Sequence, residues 1–445
     1  MKMRIPENAN RIIEILQRNG FEASVVGGCV RDSILGRIPE DWDITTSARP
    51  EQVKNIFSHT IDTGIAHGTV TVMMDHVGYE VTTYRIDGEY EDARHPKEVT
   101  FTASLVEDLK RRDFTINAMA YNERDGLIDI FGGVEDLKAG IIRCVGNPLE
   151  RFGEDALRML RAVRFSAQLG FVIEENTQKA IKSLAPSIGK VSAERIQVEL
   201  VKLLTSDYPD RMKKACELGL TGVFLPEFDV MMETPQNTRH HVYSVGEHTI
   251  HSLMAVPKDK VLRLTMLLHD VGKPSCRTTE GGKDHFHGHP QVGAQMARDI
   301  FHRLKFDNDT MKQVCHLIEF HDYRPDMSPK AIRRAIAKIG PEYCKALFAV
   351  KRADIAGQSD YLKQEKYAYV DEFERMFDDM QQEHVCLKKS MLCINGRDLM
   401  QLGVPQGKEI GRILDELFEK VLEDPSINER EKLMELAHNM ITPNI

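Results

Sequence analysis

The chain has one tryptophan in 445 residues, no pair of cysteines spaced CxxC, and no apolar stretch of the roughly 18 residues that a membrane span needs. The missing CxxC excludes a zinc ribbon or a thioredoxin-like redox pair. Its eight cysteines (29, 144, 216, 276, 315, 344, 386 and 393) read as free thiols in a reducing cytosol. The N-terminal MKMRIPENAN lacks the apolar core of a signal peptide, which agrees with a cytoplasmic location. An excess of basic residues is also lacking. The formal charge of −9 excludes a broadly basic nucleic-acid coat but leaves room for a local basic stripe along RNA phosphates. There is no internal repeat, low-complexity segment or Walker loop. What remains is ordinary globular material, 42% hydrophobic and 29% charged, long enough for two to four domains.

Residues 21 to 46, FEASVVGGCVRDSILGRIPEDWDITT, concentrate the chemistry. Val25 and Val26 are β-branched and close a strand. Gly27 and Gly28 let the backbone approach a ligand that a side chain would block. Val30 to Leu35 has helical spacing and stops at Gly36, so its N-terminal dipole points back at the glycines and favours triphosphate. Asp41 and Asp43 are expected on the next strand, where a period of two gives their carboxylates one face and Mg²⁺ as a shared ligand. Each piece alone has a bland alternative, the DxD being a solvated turn. Together, GGxVRD followed about ten residues later by DxD resembles the active-site opening of the DNA polymerase β nucleotidyltransferase superfamily. Within it, the class II CCA-adding enzymes and bacterial poly(A) polymerases are the nearest match.

The helix expected at 4 to 19 buries Ile12, Ile13 and Leu16 and ends at Gly20. HGTVTVMMD and GYEVTTYR read as two strands with a hairpin break at residues 75 to 78. Glu80 then stands either beside Asp41 and Asp43 as a third carboxylate or as an exposed strand residue. Residues 85 to 101 read as a mobile loop. In RRDFTINAMAYN, Arg111 and Arg112 are either a surface basic pair or fork-shaped donors for phosphate and ribose oxygens. The run from His67 to Asn117, with DIFGGVEDL at 129 to 137, is similar to the head domain of the CCA-adding family. That similarity implies that Arg112 and Asp113 contact the incoming ribose and that the 85–101 loop moves as addition switches from C to A. It also implies a nucleotide-binding set of Gly27, Gly28, Arg31, Arg112, Asp113, Asn117, Asp155, Arg158, Arg161 and Arg164.

From residue 148 the pattern turns helical. Ala156, Leu160, Val163 and Ala167 form a core face. Asp155 and Arg158 share another face, as an intrahelical ion pair or as a reading pair. A carboxylate accepts from an exocyclic amine, and an arginine donates to a ring nitrogen. Cytosine and adenine present that combination; guanine and uracil present the reverse. Each such contact is worth roughly 1–3 kcal/mol of discrimination. EDALR resembles the family's EDxxR nucleotide-reading motif, and SAERIQVEL at 192 to 200 resembles its next neck motif.

Eleven of the 17 histidines lie between 240 and 321, which marks a second site. His241, the neighbours His269 and Asp270 in LRLTMLLHDVGKP, and Asp354 resemble the ligand set of an HD-family metal-dependent phosphohydrolase, with His289 and His321 as extra ligands. Imidazole with carboxylate suits Mn, Fe, Ni, Co or Zn better than Mg alone. His285, His287 and His302 are not read as ligands. In the tail, Gly407 and Gly411 bracket a helix start, in a segment similar to the family region that contacts the tRNA elbow.

The expected architecture is therefore an α+β nucleotidyltransferase head with a mixed sheet (1–143), an all-α neck (144–220), an HD body (221–380) and a helical tail (381–445). The expected function is addition of CCA to tRNA 3′ ends from CTP and ATP, with Asp41, Asp43 and Glu80 catalytic and Mg²⁺ in the head. The alternatives are a poly(A) polymerase, a specialist adding only A or only CC, an HD phosphohydrolase with an idle head, and a non-enzymatic RNA-binding protein. TGIAHGTVTVMM lacks the basic RRF-type stretch of bacterial poly(A) polymerases, and an intact 85–101 loop disfavours a CC-only enzyme. The oligomeric state is not encoded in any of these patterns.

Overall fold

The computed structural model describes residues 3–87 and 99–441, so most of the loop expected at 85–101 lies outside the described residues. The chain forms two compact units, Met1–Asp229 with Arg303–Lys305, and Val230–His302 with Phe306–Ile445.

The first unit opens with α1 (Glu7–Arg18), whose Ala9, Ile12, Ile13 and Leu16 fall on one helical stripe and are all buried. There follow β1 (Ala23–Val26), α2 (Gly28–Ile34), β2 (Ile44–Thr46), α3 (Pro50–Ile56), β3 (Thr60–Gly64), β4 (Thr69–Met74), β5 (Val77–Thr83), β6 (Arg85–Asp87), β7 (Val99–Phe101), α4 (Leu105–Lys110), β8 (Met119–Asn122), β9 (Gly126–Asp129) and α5 (Gly133–Ala139). Seven of these strands form one mixed sheet in the order β3-β4-β5-β2-β1-β8-β9. Its β2–β5 pairing is parallel and its other pairings are antiparallel. β1 lies inside the sheet and buries all four of its residues, as its Ala-Ser-Val-Val sequence requires. The β4–β5 hairpin turns on Asp75 and His76, both at positive φ (49° and 65°), the geometry that matches the right-handed strand twist in two-residue turns.

The helices α6 (Pro148–Glu154), α7 (Leu157–Leu169), α8 (Glu175–Leu184), α9 (Ala193–Leu204), α10 (Arg211–Glu217) and α11 (Thr221–Phe224) complete the first unit, and α12 (Pro226–Glu233) leads out of it. Between α5 and α8, the two-residue strands Ile141–Ile142 and Val172–Ile173 pair in parallel. The helical pattern that begins at 148 is interrupted at Asp155, whose φ of −141° and ψ of 104° are extended, so Asp155 and Arg158 do not share a continuous helix. The expected core face, Ala156, Leu160, Val163 and Ala167, is buried.

The second unit contains α13 (Val245–Ala255), α14 (Lys260–Leu268), α15 (Lys273–Cys276), α16 (His289–Arg303), α17 (Asn308–Phe320), α18 (Pro329–Ile339), α19 (Pro341–Ala356), α20 (Lys363–Gln382), α21 (Gly396–Gln401), α22 (Lys408–Glu423) and α23 (Arg430–Ile441). One core gathers Ile332, Ile336, Leu347, Phe348, Phe373 and Phe377. A separate tail core gathers Leu399, Ile413, Leu417, Val421 and Leu433. Gly407 caps α22, as its place in the sequence suggests. No described helix is long and apolar enough to cross a membrane.

Candidate functional site

β1 runs directly into Gly27, whose φ of +83° an L side chain adopts only with strain. A Cβ there would also meet Arg112 Nη1 at 2.9 Å, so the glycine is what lets this guanidinium lie against the strand end. Gly27 donates its N–H to Met119 O (3.1 Å), and Val26 donates to Asp43 O (3.0 Å). Asp41 and Asp43 thus lie in the segment just before β2 rather than within it. The ladder begins at Ile44, where pairing to Val25 on one side and Val81 on the other first becomes available. The parallel register, Ile44 opposite Val81, brings Glu80 level with Asp43.

The electrostatics agree with that placement. Asp41, Asp43 and Glu80 are all solvent-exposed; partial desolvation raises the Asp43 pKa, Arg112 opposes the rise, and Glu80 and Asp41 add to it. Clustered carboxylates of this kind are chemically suited to a dication. Arg112 is itself half-buried, its desolvation lowers its pKa, and its Nε has no hydrogen-bond partner. Asp108 anchors the arginine pair from below. It accepts from Arg111 Nε (2.9 Å) and Thr45 Oγ1 (3.1 Å) and stands 3.6 Å from Arg112 Nη2.

A chain of charges links this strand end to the helices. Arg31 donates to Asn117 Oδ1 (2.7 Å), and Asn117 donates to Asp113 Oδ1 (3.2 Å). Arg161 makes a two-pronged contact with Asp113 Oδ2, at 2.8 Å from Nε and 2.7 Å from Nη2. Burial alone would raise the Asp113 pKa; the Arg161 charge and hydrogen bond override it and hold the group at about 2. Arg164 donates to Glu199 (2.7 Å), and Glu199 also lies 3.6 Å from Arg161. Arg164, Arg31 and Arg161 stand 3.5, 5.2 and 5.4 Å from the Phe165 ring centroid, within cation–π range.

Asp155 and Arg158 do not face each other as their spacing suggests. The helix break turns Asp155 towards α9, where Arg195 grips it with two hydrogen bonds (2.7 and 3.2 Å). Arg158 instead donates to Glu154 (2.6 Å) and to the carbonyls of Arg151 (3.1 Å) and Arg111 (2.8 Å).

In the second unit, the apolar helix α14 ends at Leu268 and delivers His269 as its C-cap and Asp270 just beyond, both buried. Among the described residues, two sets of three ligand-type side chains have their ligand atoms within 4.8 Å of one another: His248, His269 and Asp354, and Asp270, His289 and His321. Five of the six expected residues are therefore brought together. The sixth, His241, lies outside both sets, with its ring 4.8 Å from that of His248 and its buried Nδ1 without a partner. His248 occupies the place expected for it, because α13 carries it inward at 0% exposure. The site lies in a cavity of about 360 Å³ whose walls include Lys273, Arg324 and Lys366. Burial alone would raise the pKa values of Asp270 and Asp354. The neighbouring His269, with Lys273 beside Asp270 and His248 beside Asp354, holds both well below the usual carboxylate range.

Residues 23–143 match the family model "Poly A polymerase head domain", 170–232 match "Probable RNA and SrmB- binding site of polymerase A", and 290–437 match "tRNA nucleotidyltransferase domain 2". The CCA-adding enzyme of Levilactobacillus brevis is 35% identical over 438 residues, 96% of either chain. The chain belongs to the CCA-adding enzyme family. The CCA-adding enzyme of Leuconostoc mesenteroides is 55% identical, but over 197 residues, so that match spans about half (49%) of that relative's length. The crystal structure of the Bacillus stearothermophilus CCA-adding enzyme in complex with CTP superposes with a TM-score of 0.74 at 30% identity, covering 99% of this chain and 98% of that one.

Relative to the family's motifs, sequence reasoning passed over Arg195, Glu199 and His248. Arg195 and Glu199 sit one turn apart in SAERIQVEL, a spacing that presents both to α7, and His248 is the third histidine of HHVYSVGEHT, on the helix that follows His241.

Proposed function

We propose that this chain is a template-independent tRNA nucleotidyltransferase that builds CCA on tRNA 3′ ends from CTP and ATP. The observation that carries this reading is the convergence of Asp43, Glu80 and Arg112 at the end of the sheet strands, beside Gly27, where a Cβ would crowd the Arg112 guanidinium. Asp41 and Asp43, with Glu80, would hold Mg²⁺. When bound, Mg²⁺ supplies charge neutralisation of the triphosphate and activation of the 3′-hydroxyl. The protein's own groups do the rest. Gly27 and Gly28 admit the phosphates, Arg31 and Arg112 donate to their oxygens and to ribose, Asn117, held by Asp113, positions Arg31, and Asp108 holds Arg112. Arg161 and Arg164, ranged round Phe165, steady the wall on which the base rests. The family match and the Bacillus stearothermophilus CTP complex support the substrate assignment. The test is incubation with tRNA lacking CCA, ending in C and ending in CC, each with labelled CTP or ATP. CTP should enter the first two and ATP only the third. ATP addition to all three would favour the poly(A) polymerase or A-adding alternative.

Base selection is assigned to Asp155 and Arg158. In the nucleotide-free geometry Arg195 already orients the Asp155 carboxylate, leaving it an acceptor for an exocyclic amine, while Arg158 is a donor held on backbone carbonyls. Asp155→Ala and Arg158→Ala should each lose discrimination against GTP and UTP by roughly 10- to 100-fold, one contact's worth. Misincorporation assays on tRNA ending in CC read this out. Unchanged selectivity in both variants would reduce the pair to helix packing.

A second reading is favoured by the two His/Asp sets: the second unit is an HD-type phosphohydrolase using a transition metal such as Mn, Ni, Co or Fe. Lys273, Arg324 and Lys366 supply the positive wall that a 2′,3′-cyclic phosphate or phosphomonoester needs. The two separate cores of the second unit support the proposed division into an HD body and a tail, the tail contacting tRNA. A cytosolic location fits a tRNA substrate.

A further inference from the structure

We infer that the cavity behind the Asp41–Asp43 segment seats the single-stranded 3′ end of the tRNA, with a base stacked on Trp42 and the flanking phosphates on Arg4 and Arg37. This rests on the nucleotidyltransferase reading of the head and adds to it a place for the RNA strand. The cavity has a volume of about 650 Å³, in the range of sites that admit a nucleotide-sized ligand. Its walls come from three pieces of the first unit: the segment ahead of α1 (Arg4, Ile5), the last turn of α2 (Ser33) and the loop that leads to β2 (Arg37, Ile38, Trp42). Local rules fix each wall. Met3 is buried and donates its N–H to Tyr121 Oη (3.2 Å), which ties the first segment to β8. Gly36, at φ +70°, ends α2 by donating to Ser33 O (3.2 Å), while Arg37 donates its N–H to Asp32 O (2.8 Å). That closure turns the chain outward and leaves Ile38 95% exposed beside the cavity.

Trp42 is the chain's one tryptophan, and it stands between the two carboxylates assigned to Mg²⁺. Asp41 and Asp43 are exposed and Trp42 is half-buried, the alternation of a chain entering a strand, so the indole turns to the side away from the carboxylates. Adjacent Cα atoms lie about 3.8 Å apart. The indole and the carboxylates are thus separated by the thickness of one strand, which a single nucleotide spans. Among the described residues no other ring and no guanidinium is stacked on this indole, which leaves it a platform for an unpaired base of any kind. The cations point to RNA as the occupant. Among the described residues neither Arg4 nor Arg37 has a carboxylate partner, in a chain whose formal charge is −9. Planar donor forks left open beside an aromatic ring match the phosphates on either side of a stacked base. The one acidic wall residue, Glu7, lies in the first turn of α1, where the helix dipole offsets its charge. A protein partner needs about 800 Å² of contact on each side, whereas a strand of one or two nucleotides fills a cavity of this size.

Because the tryptophan is unique, its fluorescence in the full chain reads the cavity directly. The probes are an acceptor-stem RNA hairpin whose unpaired 3′ end finishes in CC, the same hairpin without unpaired nucleotides, and CTP, each titrated without Mg²⁺ so that no addition occurs. We expect the hairpin with the unpaired end, and neither of the others, to quench the emission and to shield it from acrylamide. In primer extension with Mg²⁺, Trp42→Ala should raise the KM for tRNA about tenfold, the worth of one stacked base, with the KM for CTP unchanged, and Trp42→Phe should recover most of the loss. Arg4→Ala should also raise the tRNA KM and lower the log–log salt slope of binding by about one. Thermal melts establish that each variant is folded. Arg4 lies far from the carboxylates in the sequence, so Arg4→Ala and the parent protein's fluorescence decide the matter even where Trp42→Ala disturbs the fold. Equal quenching by the hairpin without unpaired nucleotides, quenching by CTP alone, no response to any RNA, or a tRNA KM unchanged in both Trp42→Ala and Arg4→Ala would each overturn the seat, the third leaving the cavity to a protein partner. A chain that adds CCA normally but fails these tests keeps the nucleotidyltransferase reading and loses the seat. One that is quenched only by the unpaired end yet adds nothing does the reverse.

Discussion

Asp43→Asn is expected to reduce nucleotide addition by at least about 1000-fold, or ~4 kcal/mol of barrier, because it removes a ligand charge from the position where the triphosphate must be neutralised. Affinity for tRNA should survive, since most RNA contacts go to the backbone and are proposed for the neck and tail. The same substitution should leave the metal-free protein at least as stable as the wild type. Asp43 is solvent-exposed, so the effect is small, but partial desolvation, with Glu80 and Asp41, raises its pKa despite Arg112. A carboxylate whose folded pKa exceeds its unfolded value weakens the fold once ionised, and that penalty grows as pH rises from the unfolded value through the folded one. At neutral pH the amide removes the penalty. Primer-extension assays, gel shifts and metal-free melts together test this. Near-normal addition, or lost activity together with a large fall in melting temperature, would sink the assignment of Asp43 as a metal ligand.

The second large effect concerns Asp113, which lies at the centre of the charge chain. Asp113→Ala leaves Arg161 facing only the more distant Glu199 and frees Asn117, which positions Arg31. Asp113 is buried but Arg161 is about a third exposed, so breaking the pair costs about 2–3 kcal/mol, below the range for a fully buried pair. For a unit of this size that corresponds to a fall in melting temperature of roughly 4–12 °C. Although burial pushes it up, the Arg161 charge and hydrogen bond hold the folded pKa of Asp113 at about 2, below the ordinary 3.8 of a free aspartate. Its contribution is therefore fully present above the unfolded value and is lost as pH falls through the folded one. The gap in stability between wild type and Asp113→Ala should accordingly narrow between about pH 4 and pH 2. A gap that stays constant across that window would mean that the cost comes from packing and not from charge.

The parts of the head that were legible in the sequence are those set by local rules. The stripe on α1, the apolar β1, the hairpin and the glycine pair all follow from period and backbone freedom. Glu80 became a definite neighbour of Asp43 only through the parallel register of β2 and β5, which no local pattern encodes. Asp155 shows the opposite failure. Its i, i+3 spacing with Arg158 assumes a continuous helix, but the backbone is extended at Asp155, and its partner comes from α9 some forty residues later. In the second unit, neighbouring His269 and Asp270 advertised themselves. His248 did not, because one histidine on an apolar helix looks the same whether it packs or ligates, and only the converging ring nitrogens distinguish the two.

The parallel contact between β2 and β5 also bears on how the head comes into being. Every other pairing of the main sheet is antiparallel, whereas this one must wait until α3, β3 and β4 have been threaded between its partners. Closing that loop costs chain entropy before any contact repays it, which makes it a slow step relative to the hairpin. A slip of one residue would set Val81 where Glu80 belongs and turn the carboxylate to the opposite face. A nascent head can thus hold its helices and its hairpin and still lack the Asp43–Glu80 juxtaposition, and the strand alignment that completes the sheet is also what assembles the proposed metal site.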